Sequence, residues 1–280
     1  SDVCSSDLGD TGNSYASGDK ADLLLPESQR KLCEALSDCG KPVIVCNMTG
    51  SAMDLSYMSE HFDAILQAWY PGARGGEALA KLIFGEVSPS GKLPVTFYDS
   101  SYTLPEFTDY SMAGRTYRYI SGDAQYPFGY GLTYSDVYVS DIKVDDLKVT
   151  DLSSLSDADR ARTVALADDN TVYGASVSVT VTNAGQMDTD DVIQLYTENT
   201  GCSFAPPHPV LSGFKRIHIK AGETAEVRLE LKDPAFTVVT DEGIRIHGGR
   251  SFMLYAGVSQ PDKRSELLTG HKCISTTFEF

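Results

Sequence analysis

The spacing of apolar positions changes once along the chain. In the first half, apolar residues come in short continuous runs and in helical faces. Lys41–Asn47 (KPVIVCN) and Asp63–Trp69 (DAILQAW) read as buried strands of the parallel type. Helices are predicted over Glu27–Leu36, Ala52–Glu60 and Glu77–Phe84, the last carrying Ala78, Leu79, Leu82 and Ile83 on one face before Gly85. Leu93–Phe97 is predicted to start another extended piece after the turn Ser88-Pro89-Ser90-Gly91. From Tyr173 the period becomes two. Val177, Val179 and Val181 alternate with Ser178, Thr180 and Thr182, and Ala225, Val227, Leu229 and Leu231 alternate with Glu226, Arg228, Glu230 and Lys232. Val192–Thr197 and Phe252, Leu254 and Ala256 extend the pattern. The predicted fold class is therefore an α/β layered domain followed by an all-β sandwich.

Composition narrows the partners. The chain has 280 residues and a net charge of −16, which argues against nucleic acid and anionic membranes as partners. No apolar run reaches the ~20 residues of a membrane helix. The six cysteines, Cys4, Cys33, Cys39, Cys46, Cys202 and Cys273, form no CxxC pair. Their scatter predicts neither a zinc site nor a disulfide scaffold, and free thiols fit a reducing, cytoplasmic setting. Cys46 reads as a small buried side chain in an apolar run. The Asp pairs at 145–146, 168–169 and 190–191 lack the spacing of a calcium loop and read as solvated loops. His208, His218 and His247 are not spaced as metal ligands and read as surface or loop residues. No metal or cofactor is expected.

The most informative stretch is Ala68–Phe97, AWYPGARGGEALAKLIFGEVSPSGKLPVTF. Pro71 and Gly72 end a strand, Gly75 and Gly76 allow a tight turn, and a helix follows. Loops at the carboxyl ends of α/β strands are common ligand sites. A phosphate loop is disfavoured, because Gly72–Glu77 lacks Gly-Lys-Ser/Thr and Lys81 falls mid-helix. The stretch resembles the C-terminal α/β domain of glycoside hydrolase family 3, the β-glucosidase and β-xylosidase family. Pro209–Lys215 (PVLSGFK), Ala221–Thr224 (AGET) and Leu254–Ser259 (LYAGVS) resemble the fibronectin type III-like domain that ends many members. Gly114–Tyr119 and Tyr126–Tyr134 resemble the link between the two. The expected domains are the α/β domain over 9–134, in part; a linker and first strand region over 135–172; the fibronectin type III-like domain over 173–260; and a polar tail over 261–280 with one extra strand, Ile274–Phe280. Ser1–Leu8 (SDVCSSDL) resembles a translated sequencing adapter and is read as an artefact.

The resemblance implies a retaining glycosidase acting on a β-linked oligosaccharide or glycoside. That chemistry needs two carboxyl groups about 5–5.5 Å apart. In the family, an aspartate nucleophile lies on an N-terminal barrel, and the acid/base glutamate lies on a loop of the α/β domain. Gly9-Asp10 and Leu23-Leu24-Leu25-Pro26 match the surroundings of that loop, but Ser5-Ser6-Asp7-Leu8 stands where the glutamate is expected. No catalytic residue is therefore assigned, and the chain without its barrel is expected to be inactive. Substrate-binding candidates are Asp10, Asn13 and Asp19 on the first loop, and Trp69, Arg74 and Glu77 on the second. The plainer expectation is loop shaping by Asp10 and Asp19, packing by Trp69, and an Arg74–Glu77 pair. The aromatics of 114–134 could stack on sugars, but packing, with Arg115 and Arg118 in hydrogen bonds, is the favoured reading. The alternative function is a non-catalytic carbohydrate-binding or structural module.

Overall fold

The structure is a computed structural model that describes residues 22–103, 105–106, 108–160, 167 and 170–280. The chain divides into two compact units. The first comprises the described residues through Val87, with those of Val95–Ser111 and Gly122–Pro127; the second comprises Ser88–Pro94, Met112–Ser121 and the described residues of Phe128–Phe280. The two short segments of the second unit, and the first residues of its long one, fall within the 9–134 domain expected from the resemblance.

The first unit is α/β. Its elements are α1 (Glu27–Ser37), β1 (Ile44–Asn47), α2 (Ser56–His61), β2 (Ala64–Gln67) and α3 (Gly75–Ile83). β1 and β2 pair in parallel, with Ile44 opposite Ala64 and Asn47 opposite Gln67. Both strands are shorter than the apolar runs that predict them. The expected extended piece at Leu93–Phe97 is reduced to one bridge, Phe97 to Tyr126. Pro94, lacking an N–H, is a poor member of a central ladder. Met53, Leu55, Met58 and Phe97 are buried, whereas α1 buries none of its residues. A polar cluster fixes the start of α2. Asp54 accepts from the Ser56 and Ser100 amides at 2.8 and 3.0 Å, and Gln125 Oε1 accepts from the Leu55 amide at 3.0 Å.

The second unit is an antiparallel sandwich. A one-turn helix, α4 (Thr116–Tyr119), precedes β3 (Val137–Asp151) and the short α5 (Asp157–Arg160). Next come β4 (Thr171–Asn183), β5 (Thr189–Asn199), β6 (Val210–Ile219), β7 (Thr224–Leu231), the hairpin of β8 (Thr237–Val239) and β9 (Arg245–His247), β10 (Ser251–Gly257), α6 (Lys263–Thr269) and β11 (Ile274–Glu279). One sheet runs β11-β10-β5-β6, and the other β3-β4-β7. Strand alternation delivers one core. Val177, Val179 and Val181 face Leu229, Val227 and Ala225 in register, and the first three are almost fully buried. Ile193, Leu195, Phe252 and Leu254 oppose them from the other sheet, all within one apolar cluster. Each such side chain contributes roughly 1.5–3 kcal/mol by leaving water.

Five expectations are corrected here. The Asp145–Asp146 pair is strand, not loop: both residues belong to β3, and the Ser178 hydroxyl donates to Asp145. Asp190 and Asp191 are on β5, where neighbours point to opposite faces. Asp190 faces Arg216 and His218, while Asp191 is buried. His247 is no surface residue. Its side chain is enclosed, its Nε2 lies 2.8 Å from Asp233 Oδ1, and its ring stacks on Tyr173 at 4.1 Å. After 260 the expected extra strand is present as β11, but the residues before it form a capped helix and not a polar tail. Asp262 caps α6 by accepting from the Ser265 amide at 2.8 Å, Gly270 ends it at φ 75°, and β11 pairs with β10. Cys46 is half-buried rather than enclosed. Asp168 and Asp169 lie outside the described residues.

The short segments are integral to the sandwich. Lys92 reaches a buried ion pair with Asp191 at 2.8 Å and donates to the Gly131 carbonyl at 2.7 Å. Burial pushes the Asp191 carboxyl up, and the Lys92 ammonium only partly offsets this. Tyr117 stacks on Phe128 at 4.3 Å and meets Tyr196 edge-on, and its hydroxyl accepts from the Leu211 amide at 3.0 Å. Gln194 Nε2 donates to the carbonyls of Gly129 and Val258, at 2.9 and 3.0 Å. The Tyr117 ring is therefore buried by packing, with Phe128 stacked on one of its faces.

Candidate functional site

The loops after β1 and β2 leave from the carboxyl ends of parallel strands, where α/β folds place ligands. Polar side chains tie the strand ends together. Asn47 Nδ2 donates to Gln67 Oε1 at 2.6 Å, and Gln67 Nε2 to the Thr49 carbonyl at 3.4 Å. The Thr49 hydroxyl closes its own turn by donating to the Ser51 carbonyl at 2.9 Å. Between them lies Gly50, under the ring of Tyr70. A Cβ at Gly50 would stand 2.6 Å from the Tyr70 hydroxyl and 2.7 Å from Cε2, so only glycine admits this approach. Tyr70 itself stays 53% exposed. Sequence reasoning passed over Tyr70 and Gly50; the Trp-Tyr-Pro-Gly run and the glycine after β1 were the available signal.

The second loop is strained at Trp69, a non-glycine residue at φ 51°. The left-handed region costs such a residue roughly 1–2 kcal/mol. Trp69 meets the buried Phe97 ring edge-on, with centroids 6.0 Å apart. This contact holds the strained residue in place. Gly72 turns the chain at φ 72°. Pro71 then lies so close to Gly75 that a Cβ there would come within 2.5 Å of the proline Cβ. The Pro-Gly and the first glycine of the pair thus fit the loop onto the helix start.

Arg74 and Glu77 meet on the first turn of α3. Arg74 Nε donates to Glu77 Oε2 at 2.8 Å and Nη2 to Oε1 at 2.7 Å, a fork that suits a guanidinium and a carboxylate. Lys81 Nζ donates to the same Oε1 at 2.9 Å. These bonds, Arg74's first and then Lys81's, hold the Glu77 carboxyl below its usual range. An exposed carboxylate held ionised by two cations is a poor proton donor at neutral pH. It is suited to accepting sugar hydroxyls, and Arg74, 82% exposed, to donating to them. The structure thus brings Arg74 and Glu77 together, while the described contact of Trp69 is with Phe97. Asp10, Asn13, Asp19, the position before Gly9 and residues 1–8 lie outside the described residues.

Among the described residues, the metal-ligating and thiol groups form no competing centre. Among the described residues, no cluster of His, Cys, Asp or Glu could hold a metal ion. Burial pushes the thiols of Cys33, Cys46 and Cys273 up, the last to about 12, so they remain protonated and weak as nucleophiles. No helix among the described residues is long and apolar enough to cross a membrane.

Comparison with known proteins places these loops in a family. Residues 2–134 match the glycosyl hydrolase family 3 C-terminal domain, and residues 191–260 match a fibronectin type III-like domain. A xylan 1,4-beta-xylosidase of Xylanibacter ruminicola is 40% identical over 257 residues, 91% of this chain and 27% of that protein. A periplasmic beta-glucosidase of Salmonella typhimurium is 33% identical, across 77% of this chain and 26% of its own length. Among solved structures, a beta-glucosidase from Listeria innocua in complex with glucose aligns at a TM-score of 0.66 and 25% identity, over 92% of this chain and 33% of that one. The chain thus spans about a quarter to a third of the length of the relatives it matches.

Proposed function

Since the chain belongs to glycosyl hydrolase family 3, we propose that it is the C-terminal part of a retaining β-glycosidase acting on β-xylosides or β-glucosides. The observation that carries this reading is the continuous similarity to a xylan 1,4-beta-xylosidase across 91% of the chain. The relatives include a beta-xylosidase and a beta-glucosidase, whose sugars differ by one hydroxymethyl group, so the substrate class is a β-linked pentoside or hexoside.

In this reading the chain supplies one wall of the site. Retention requires an attacking carboxylate and a second carboxyl that first protonates the leaving oxygen and then activates water. The attacking aspartate would come from a barrel domain of the same enzyme. The loops carrying Tyr70, Arg74 and Glu77 would bind and orient sugar hydroxyls. The Arg74–Glu77–Lys81 cluster suits that task, because it offers fixed donors and a carboxylate acceptor that does not change protonation near neutral pH. Proton transfer to the leaving group would fall to the first loop, near Gly9, and not to Glu77.

The test is hydrolysis of aryl β-xyloside and aryl β-glucoside, by the chain alone and by the chain joined to a matched barrel with its native first loop. Activity is expected only in the joined protein, with a preference for the xyloside. Turnover by the chain alone would overturn the division of carboxylates proposed here.

A further inference from the structure

The loop after β2 holds an aromatic ring out of the core at a cost to the backbone. Trp69, at φ 51°, occupies the left-handed region that non-glycine residues avoid. Its own ring is accounted for by the edge-on contact with Phe97. The next residue, Tyr70, stays more than half exposed and is held at its hydroxyl end. A Cβ on Gly50 would come within 2.6 Å of that hydroxyl, 2.7 Å of Cε2 and 2.8 Å of Cζ, so the missing side chain lets the ring settle on the turn after β1. That turn is itself tied down. The Thr49 hydroxyl donates to the Ser51 carbonyl, and Gln67 Nε2, from β2, donates to the Thr49 carbonyl. Pro71, packed against Gly75, fixes the chain on the far side of Tyr70. A ring left half in water buries too little area to offset a strained neighbour, so packing does not account for this arrangement. Backbone strain of this kind gathers at ligand clamps.

We infer that Tyr70 is a fixed stacking platform for one sugar ring of the β-linked substrate, and that the ring, not the hydroxyl, is what recognises it. The inference rests on the proposed glycosidase reading for the identity of the ligand, and adds to it a residue that selects for a closed sugar ring. A β-xylose or β-glucose unit carries its hydroxyls at the equator and C–H bonds on both faces. An aromatic side chain offers a matching apolar surface. The hydroxyl of Tyr70 is the end set against Gly50, which leaves the rest of the ring for the sugar. Polar partners follow on the same loop. Arg74 and Glu77 form their fork just after Gly72 turns the chain. The four residues from Tyr70 to Arg74 span at most about 14 Å, within reach of one short oligosaccharide. Small-ligand sites combine an apolar surface with a few placed polar groups in this way. Because the ring is held before the sugar arrives, little side-chain freedom is lost on binding.

Binding by the full chain tests this, with xylobiose and the open-chain polyol xylitol as probes. Saturation-transfer NMR, with irradiation of the aromatic protons, reports contact with a ring, and Trp69 emission, one residue away, reports occupancy. Xylobiose is expected to bind saturably and to receive saturation on its ring C–H protons; xylitol is expected to do neither. Tyr70→Phe is expected to bind xylobiose within about twofold of the parent chain, and Tyr70→Ala at least tenfold more weakly. Gly50→Ala keeps the Tyr70 ring but pushes it off the turn, and is expected to weaken binding at least threefold. Trp69 emission of each free variant checks that the α/β unit is folded. Absence of saturable xylobiose binding, equal binding of xylitol, Tyr70→Ala binding like the parent, or Tyr70→Phe losing as much as Tyr70→Ala overturns the inference. Hydrolysis is not the readout. A joined enzyme that hydrolyses xylosides while the chain fails these tests would sink the platform alone, and a joined enzyme without activity would leave the binding result standing.

Discussion

The two units place their apolar side chains in opposite ways. In the sandwich, one cluster runs from Val137 to Phe278, and the aromatic rings of Phe236, Phe252, Phe278 and Phe280 close one end of it. In the α/β unit the described core is small, while Leu32, Ile44, Tyr70, Ile83 and Phe84 are exposed, Phe84 at 80%. Burial of apolar area is the main favourable term in folding, so the sandwich should be much the more stable unit. The α/β unit, with two short parallel strands and a helix that buries nothing, leaves more of its apolar side chains exposed. The same unit carries the glycine-built loops and the strained Trp69. The larger apolar core and the strained, glycine-built loops thus fall on different parts of the chain.

Trp69 is the only tryptophan, so its fluorescence follows the α/β unit, whereas far-ultraviolet circular dichroism is dominated by the sandwich strands. That separation lets substitutions break or sharpen the contrast. The largest effect is expected from Lys92→Met. Removing one partner of a buried ion pair costs roughly 3–5 kcal/mol, because the other charge is left uncompensated. Urea unfolding followed by circular dichroism should show the loss, and pairing it with Asp191→Leu should restore most of the stability. Gly50→Ala should cost the α/β unit up to about 1 kcal/mol, since the half-exposed Tyr70 ring must swing aside. The Trp69 transition would shift and the dichroism transition would not; a common shift would mean that the units unfold together.

Acid should separate the units by sign. Burial raises the Asp54 carboxyl, but hydrogen bonds from Ser56 and Ser100 outweigh it, so its folded value is lowered. Its contribution is complete above the usual carboxylate value of about 3.9 and is lost as pH falls through the lower folded value. Asp191 runs the other way. Its folded value is raised, so its contribution is fullest below the usual value and fades as pH rises through the raised one. On acidification Trp69 fluorescence should therefore change before the strand signal, and Asp54→Asn should flatten that first change. Coincident transitions would contradict this. The smallest effect is expected from Glu77→Gln: exposed pairs are screened by solvent, so neither transition should move measurably, while sugar binding by the joined enzyme should weaken.

The sandwich was readable where strands keep one phase. β4 alternates without interruption, and Val177, Val179 and Val181 all face inward. β3 was hidden by two register shifts, between Val139 and Asp141 and between Val144 and Asp146. Each bulge adds a residue and reverses the phase, so Val137 and Val139, then Ile142 and Val144, then Leu147 and Val149 never form one alternating series. Asp190-Asp191 misled because two adjacent acids suggest solvent, whereas a strand sends one to each face. The burial of His247 depends on Asp233 and Tyr173, distant in sequence, and no local pattern carries that. In the site, the i,i+3 spacing of Arg74 and Glu77 made their pairing legible. The strain at Trp69 and the fit of Tyr70 over Gly50 are backbone events that residue type alone does not specify.

The interleaving of the chain bears on heredity. The signature running from Ala68 to Phe97 spells out the strained loop after β2 and, in the same thirty letters, the Lys92 segment that completes the sandwich. A gene exchanged at Tyr134 would part Asp191 from its counter-ion and Tyr196 from Tyr117 and Phe128. Shuffling of the terminal module between lineages should therefore be selected against, and both units should pass together through evolution as one inherited block.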